Sequence, residues 1–193
     1  FDVMDGIFVP NISFGFPVLS AVKKITNIPI SVHLMITDPL QYLGKFIKFG
    51  ADEIFVHINH DMDYLLKMLD MCKNAGVKFG IAINPDDNIN DFVQELMMKV
   101  DSVLIMSVYP GFAGQKFIPS VLFKLDLLKK YDVIKKIDGG INLDIFNYAI
   151  GASKSLIFPD NSYEESCIKN LRDVDEFVIG SYFFNNIDKF IKK

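Results

Sequence analysis

Two rhythms alternate along this chain. Short apolar runs of strand character recur, and amphipathic stretches separate them. The runs predict strands at Phe1–Met4, Ile30–Ile36, Glu53–Ile58, Lys78–Ile83, Ser102–Val108, Val133–Ile137 and Glu176–Ile179. Most are continuous apolar stretches rather than in–out alternations, which suits parallel strands covered on both faces. The stretches between them predict helices at Pro17–Thr26, Pro39–Phe49, Asp63–Ala75, Ile89–Met98, Ser120–Tyr131 and Leu143–Ile150, with a short final one at Ile187–Lys193. In the third, Leu65, Leu66, Leu69 and Cys72 fall at spacings of three and four, and Gly76 supplies the stop. Val121, Leu122, Leu125 and Leu128 repeat that spacing later.

Strand, helix, strand at this rhythm means parallel β/α units. An open doubly wound sheet and a closed eightfold barrel both fit. The chain opens at Phe1 in mid-pattern, with no initiator Met. The expectation is therefore an α/β fold of the TIM (β/α)8 barrel type, with the first β/α unit lying upstream of residue 1. A single domain is expected over residues 1–193, with an insertion at about 153–175, where the connection exceeds the usual two to six residues. A surface excursion with its own helix and a lid over the site are both open for that segment.

Composition narrows the function. The chain has 193 residues, of which 50% are hydrophobic and 18 are Phe, too apolar for a disordered polymer. A net charge of −4 disfavours a duplex nucleic acid as partner. No apolar run approaches the ~18 residues of a membrane span. Cys72 and Cys167 make neither a metal knuckle nor a disulfide framework and read as reduced thiols. No signal peptide is legible, and a cytoplasmic location is expected.

In such barrels the chemistry sits where the strands end. Asp2, His33 and Asp138 close different runs, and His57 closes the third. Each has an ordinary explanation alone: a paired carboxylate, a hydrogen-bonded core histidine, a turn aspartate. Jointly, Asp2, His33 and Asp138 would converge on one mouth, and an Asp/His set suits Zn²⁺ or another divalent first-row metal. A second constellation is Gly111-Phe112-Ala113-Gly114, Gly139-Gly140 and Gly180-Ser181, after the last three runs. Free backbone N–H groups there favour a phosphate ester substrate. Met4, Met35 and Met106 lie near strand ends, either as core filling or as a soft apolar wall around a reactive carbon.

These residues resemble a known family. Asp2-Val-Met-Asp-Gly-Ile-Phe-Val-Pro-Asn11, followed by Ile-Ser-Phe-Gly, is similar to ribulose-phosphate 3-epimerases. So are Val32-His-Leu-Met35, Met106-Ser-Val-Tyr-Pro-Gly-Phe-Ala-Gly-Gln-Lys-Phe117, Ile137-Asp-Gly-Gly140 and Val178-Ile-Gly-Ser181, in the family's order and over nearly the whole chain. The resemblance implies a metal-dependent epimerase that interconverts D-ribulose 5-phosphate and D-xylulose 5-phosphate in the pentose phosphate pathway, by proton transfer at C3 through an enediolate. It implies one divalent metal held by two His and two Asp, commonly Zn²⁺, with Fe²⁺, Mn²⁺ or Co²⁺ as alternatives.

Carried over by motif, Asp2, His33 and Asp138 are metal ligands, and Asp2 and Asp138 are the catalytic acid/base pair. The fourth ligand, a histidine two positions before Asp2, would fall before Phe1. Substrate and phosphate contacts carry over to His33, Gly111, Phe112, Ala113, Gly114, Gly139, Gly140, Gly180 and Ser181, and Met4, Met35 and Met106 line the pocket. A homo-oligomer is expected. Ala113 departs from the glycine usual in the family, and Asn59 stands where an acidic residue is common. An allulose 6-phosphate 3-epimerase and a truncated, non-catalytic barrel are the alternative readings.

Overall fold

The structure, a computed structural model, describes residues 1–153, 156 and 165–188. Strands and helices alternate as the sequence pattern predicts. The strands are β1 (Asp2–Met4), β2 (Ser31–Met35), β3 (Glu53–His57), β4 (Lys78–Ile83), β5 (Ser102–Met106), β6 (Ile134–Asp138) and β7 (Glu176–Val178). The helices are α1 (Phe16–Ile25), α2 (Pro39–Lys48), α3 (Met62–Asn74), α4 (Asp91–Met97), α5 (Leu122–Leu128), α6 (Leu143–Ala149), α7 (Glu165–Ile168) and α8 (Ser181–Asn185). The chain divides into two compact units, residues 1–83 with 90–103 and residues 84–89 with 104–193, and β5 runs through the boundary.

In the first unit β1, β2, β3 and β4 lie side by side in chain order, all parallel. Every residue of β3 and all but the first of β2 and β4 are buried, as a sheet covered on both faces requires. The helices cover it through Leu19, Leu43, Phe46, Leu65 and Met68, each essentially inaccessible. Asparagine and aspartate start most of them. Asp38, Asp61 and Asn90 accept the backbone N–H of Gln41, Tyr64 and Val93, satisfying donors that a helix start leaves open.

Register decides which side chains share a face. Asp2 pairs with His33, and His33 with Phe55. Side chains alternate along a strand, so Asp2, Met4, Ser31, His33, Met35, Glu53, Phe55 and His57 all project to one side. Gly80, opposite Phe55 on β4, belongs to the same set. A Cβ there would lie 2.3 Å from the Phe55 ring and 2.6 Å from the Ser102 hydroxyl, so the missing side chain is what admits the phenyl ring. One layer lower, the buried Glu53 carboxylate accepts hydrogen bonds from Ser31 Oγ (2.5 Å) and Ser102 Oγ (2.7 Å).

In the second unit β6 and β7 pair in parallel, with Lys136 opposite Glu176 and Asp138 opposite Val178. Val121, Leu122, Leu125, Leu128, Ile137 and Leu171 are fully buried. Part of the expected insertion lies within the described residues. It carries α7 and a 3-10 turn at Lys169–Asp173, and it packs on α5: Asn170 donates to Leu122 O at 3.1 Å and accepts from Lys129 Nζ at 2.8 Å. Residues 157–164 lie outside the described residues, as does most of the helix expected at 187–193. The helix expected at Ser120–Tyr131 is a 3-10 turn at Pro119–Val121 continued by α5.

Candidate active site

In the first unit Asp2 opens β1 and His33 is the middle residue of β2, so neither closes its strand as the sequence pattern led one to expect. Asp2 and His33 are register partners, and Asp2 Oδ1 stands 3.5 Å from His33 Nδ1. The His33 side chain is 5% exposed and that of Asp2 is 53% exposed. The separation is too long for a good hydrogen bond, and His33 Nδ1 has no hydrogen-bond partner. Burial pushes the Asp2 carboxyl up, but the adjacent His33 outweighs it and holds the carboxyl below its ordinary value. On its other side, His33 Nε2 meets His57 Nε2 at 2.9 Å. Burial, helped by the neighbouring His33 and His60, drives the His57 pKa well below the ordinary value, so that ring is neutral. Met4 and Met35 are register partners two residues further along the same face, Met35 buried and Met4 half-buried.

The loop after β1 is fixed from below. One carboxylate oxygen of Asp5 accepts the N–H groups of Ile7 and Phe8, and the other accepts the N–H and hydroxyl of Thr37. This brings Phe8 against His57, ring centroids 4.8 Å apart.

The second unit, taken by itself, carries the glycine turns. Asp138 is the last residue of β6, half-buried. Ser107, fully buried, ties this strand end to the loop after β5. Its N–H donates to Asp138 O at 2.7 Å, and its hydroxyl reaches Asp138 O and Gly139 O at 2.8 and 2.7 Å. Gly139 and Gly140 adopt φ of +113° and +65°. A Cβ on Gly140 would lie 2.3 Å from the backbone nitrogen of Phe117, and one on Gly139 2.3 Å from Val108. These glycines are required by the fold before any ligand is considered. Gly114 and Gly180 differ, since nothing lies within 4 Å of a Cβ built on either. Gly180 and Ser181 stand at the start of α8.

The loop from Gly111 through Phe112 and Ala113 to Gly114 is braced at both ends. Gln115 Nε2 donates to Tyr109 O (2.6 Å) and Phe112 O (2.8 Å), and Tyr109 Oη donates to the Asp86 carboxylate. Gly111 is buried, while Phe112, Ala113 and Gly114 are exposed. Buried Lys124 on α5 fixes the loop that carries Asp86, donating to Asn84 O at 2.5 Å and Pro85 O at 2.9 Å. Met106, at the end of β5, is buried.

The sequence reading did not assign Ser107, Gln115, Tyr109, Lys124 or His57. Ser107, Tyr109 and Gln115 lie within the family-like run Met106–Phe117 and His57 closes the third apolar run, while Lys124 left no signal.

A model of the ribulose-phosphate 3 epimerase family matches residues 1–184. The chain belongs to this family. It is 39% identical to the ribulose-phosphate 3-epimerase of Bacillus subtilis over 81% of this chain and 74% of that protein. With the ribulose-phosphate 3-epimerase of Aquifex aeolicus the identity is 41% over 73% of this chain, which spans only 65% of that relative. Epimerases are isomerases, so the family is one of enzymes. Among solved structures, a 3-hexulose-6-phosphate synthase from Salmonella typhimurium superposes with a TM-score of 0.63 over 90% of this chain and 74% of that one, at 16% identity. That likeness speaks for a TIM-barrel-like β/α fold alone.

The pair of Asp2 on β1 and His33 on β2 fits the metal that the family resemblance implies. Two ligand atoms on one tetrahedral zinc, at N and O bond lengths near ~2.1 Å, stand about 3.4 Å apart. The observed 3.5 Å between Asp2 Oδ1 and His33 Nδ1, with that nitrogen unpartnered, matches this spacing.

Proposed function

We propose that this chain is a ribulose-phosphate 3-epimerase that interconverts D-ribulose 5-phosphate and D-xylulose 5-phosphate, a step of the pentose phosphate pathway. The observation that carries the reading is the unpartnered His33 nitrogen held against the Asp2 carboxylate by the β1–β2 register, in a chain that matches the epimerase family over residues 1–184. Asp2, His33 and Asp138, the ligands that the family resemblance implies, would each offer one ligand atom to a divalent cation, Zn²⁺ by the chemistry of the donor set. A cation there would polarise the substrate carbonyl and stabilise negative charge on the adjacent oxygens.

Asp2 and Asp138 divide the proton transfer. Inverting C3 means removing its proton from one face and returning one to the other. Two carboxylates on opposite sides of the carbon do this without turning the intermediate over. Each carboxylate has two oxygens, one to bind the cation and one to move the proton. One aspartate starts ionised and the other protonated. As the ionised one takes the C3 proton, the electron pair of the C–H bond moves toward the carbonyl to form an enediolate. The protonated one then gives its own proton to the opposite face, and exchange with water resets the pair. The roles reverse in the reverse direction. Met4, Met35 and Met106 keep water from that carbon. The N–H groups of Gly111, Phe112, Ala113, Gly114, Gly139, Gly140, Gly180 and Ser181 hold the phosphate ester, and Gly114 and Gly180 leave room for it.

No helix among the described residues is long and apolar enough to cross a membrane. A doubly charged pentulose phosphate favours the cytoplasm as the place of action, and self-association as a homo-oligomer belongs to the same reading. The test is conversion of D-ribulose 5-phosphate followed by a xylulose 5-phosphate-specific coupled assay. Asp138→Asn lowers kcat by about 10²–10⁴-fold while phosphate binding persists; turnover unchanged by that substitution overturns the reading.

A further inference from the structure

The mechanism leaves a buried histidine of the first unit unused. His57 is 2% exposed, and its ring sits between His33 and Phe8. The His33 and His57 Nε2 atoms are 2.9 Å apart, with the ring planes inclined by 28°. A contact of that length between two ring nitrogens needs one N–H and one lone pair. Two arrangements supply them. If His57 donates, neutral His33 carries its proton on Nδ1, facing Asp2. If His33 donates, its Nδ1 is a bare lone pair facing Asp2. Only the second arrangement lets His33 serve as a ligand beside Asp2.

We propose that His57 is a positioning residue, which accepts the Nε2–H of His33 and so holds His33 in the tautomer and ring plane that present its Nδ1 lone pair beside Asp2. The inference rests on the cation reading above. Three observations support it. The register puts Asp2, His33 and His57 on one face of the sheet. Both Nδ1 atoms are buried and unpartnered, so the contact between the two Nε2 atoms is the constraint on both tautomers. Phe8, placed by the Asp5 turn, presses on the His57 ring and limits its rotation. Ligating histidines usually give their second N–H to a carboxylate, a backbone carbonyl or water, and this partner fixes tautomer and orientation. A neutral imidazole fills that place here.

The experiment titrates the metal-free chain with Zn²⁺ against a chromophoric chelator, for the unaltered protein, Asp2→Asn, His57→Leu and His57→Gln. Loss of such an outer partner typically costs about 10–100-fold in metal affinity, and His57→Leu is expected in that range. His57→Gln keeps an acceptor in its side-chain carbonyl and recovers most of the affinity. Thermal midpoints measured alongside separate a packing defect, which both substitutions share, from loss of the acceptor. Ring ¹⁵N spectra of the unaltered, zinc-loaded protein need no variant and show His33 protonated at Nε2. Wild-type affinity in His57→Leu, or a His33 proton on Nδ1, overturns the role of His57 while loss of zinc in Asp2→Asn leaves the cation reading standing. Zinc binding that is absent, or indifferent to Asp2→Asn, overturns both.

Discussion

Ser107 fastens the end of β5 to Asp138, its hydroxyl 2.8 Å from the Asp138 carbonyl oxygen and its N–H 2.7 Å from the same atom. A serine with no exposure thus sets where the last residue of β6 stands. Ser107→Ala keeps the N–H bond and removes the hydroxyl from two carbonyl oxygens. The expected loss of stability is about 1–2 kcal/mol, measured by urea unfolding. With the Asp138 backbone looser, kcat falls several-fold more than KM changes. A variant with unaltered unfolding midpoint and kcat contradicts this.

Gly140→Ala tests the turn beyond Asp138. The new methyl would meet the Phe117 backbone nitrogen at 2.3 Å, in a backbone conformation of φ +65°. Backbone atoms do not yield as a flexible side chain would. The expected loss is roughly 2–4 kcal/mol, with a raised KM for the phosphorylated substrate. Gly180→Ala is the comparison: its Cβ meets nothing within 4 Å and its φ is −92°. It leaves the unfolding midpoint unchanged and raises KM alone.

The strands and their order in the chain were legible because each is an apolar run bounded by turn residues. Lys78–Ile83 matches to the residue, and the others differ by one or two at their ends. The residues led to the expectation that Asp2 and His33 converge, but the register that makes them neighbours and brings His57 to the same face was not legible. Asp2, His33 and His57 share a face because β1, β2 and β3 pair as they do, and a slip of one residue would turn His33 away from Asp2. Nothing in the apolar pattern sets that slip. The Phe55–Gly80 fit, which tells one register from another, is visible only once the strands are paired. The helix at Ser181–Asn185 escaped because Tyr182-Phe183-Phe184 carries no helical periodicity. The brace of Gln115 on Tyr109 and Phe112 involves carbonyl oxygens, which every residue has, so no residue type announces it.

Gln115→Leu removes the one donor shared by the Tyr109 and Phe112 carbonyls. The loop N–H groups of residues 111–114 are then no longer set before substrate arrives. A net hydrogen bond is worth about 1 kcal/mol, so KM rises roughly 3–10-fold with kcat nearly unchanged. Steady-state kinetics with the phosphorylated ketose gives the split; a fall in kcat at constant KM would contradict the role.

Asp5 governs acid stability of the loop that carries Phe8. Burial raises its pKa, but hydrogen bonds from Thr37, Ile7 and Phe8 lower it more, to about 2 from an ordinary 3.8. A carboxyl depressed by folding stabilises the native state fully above its ordinary value, and that contribution disappears as pH falls through about 2. Stability therefore falls between pH 4 and 2, and Asp5→Asn removes this part of the slope. At pH 7 the substitution costs about 1–2 kcal/mol, allowing for partial exposure. Urea midpoints at pH 6, 4 and 3 decide; parallel profiles for the two proteins would contradict it.

The central claim is that Asp2, His33 and Asp138 bind one cation. Anomalous diffraction from zinc-loaded crystals, recorded on both sides of the zinc edge, tests it most directly. The account predicts a single strong peak within bonding distance, about 2.0–2.2 Å, of a carboxylate oxygen of Asp2, Nδ1 of His33 and a carboxylate oxygen of Asp138. A peak elsewhere, or one that touches His33 through Nε2, would contradict it.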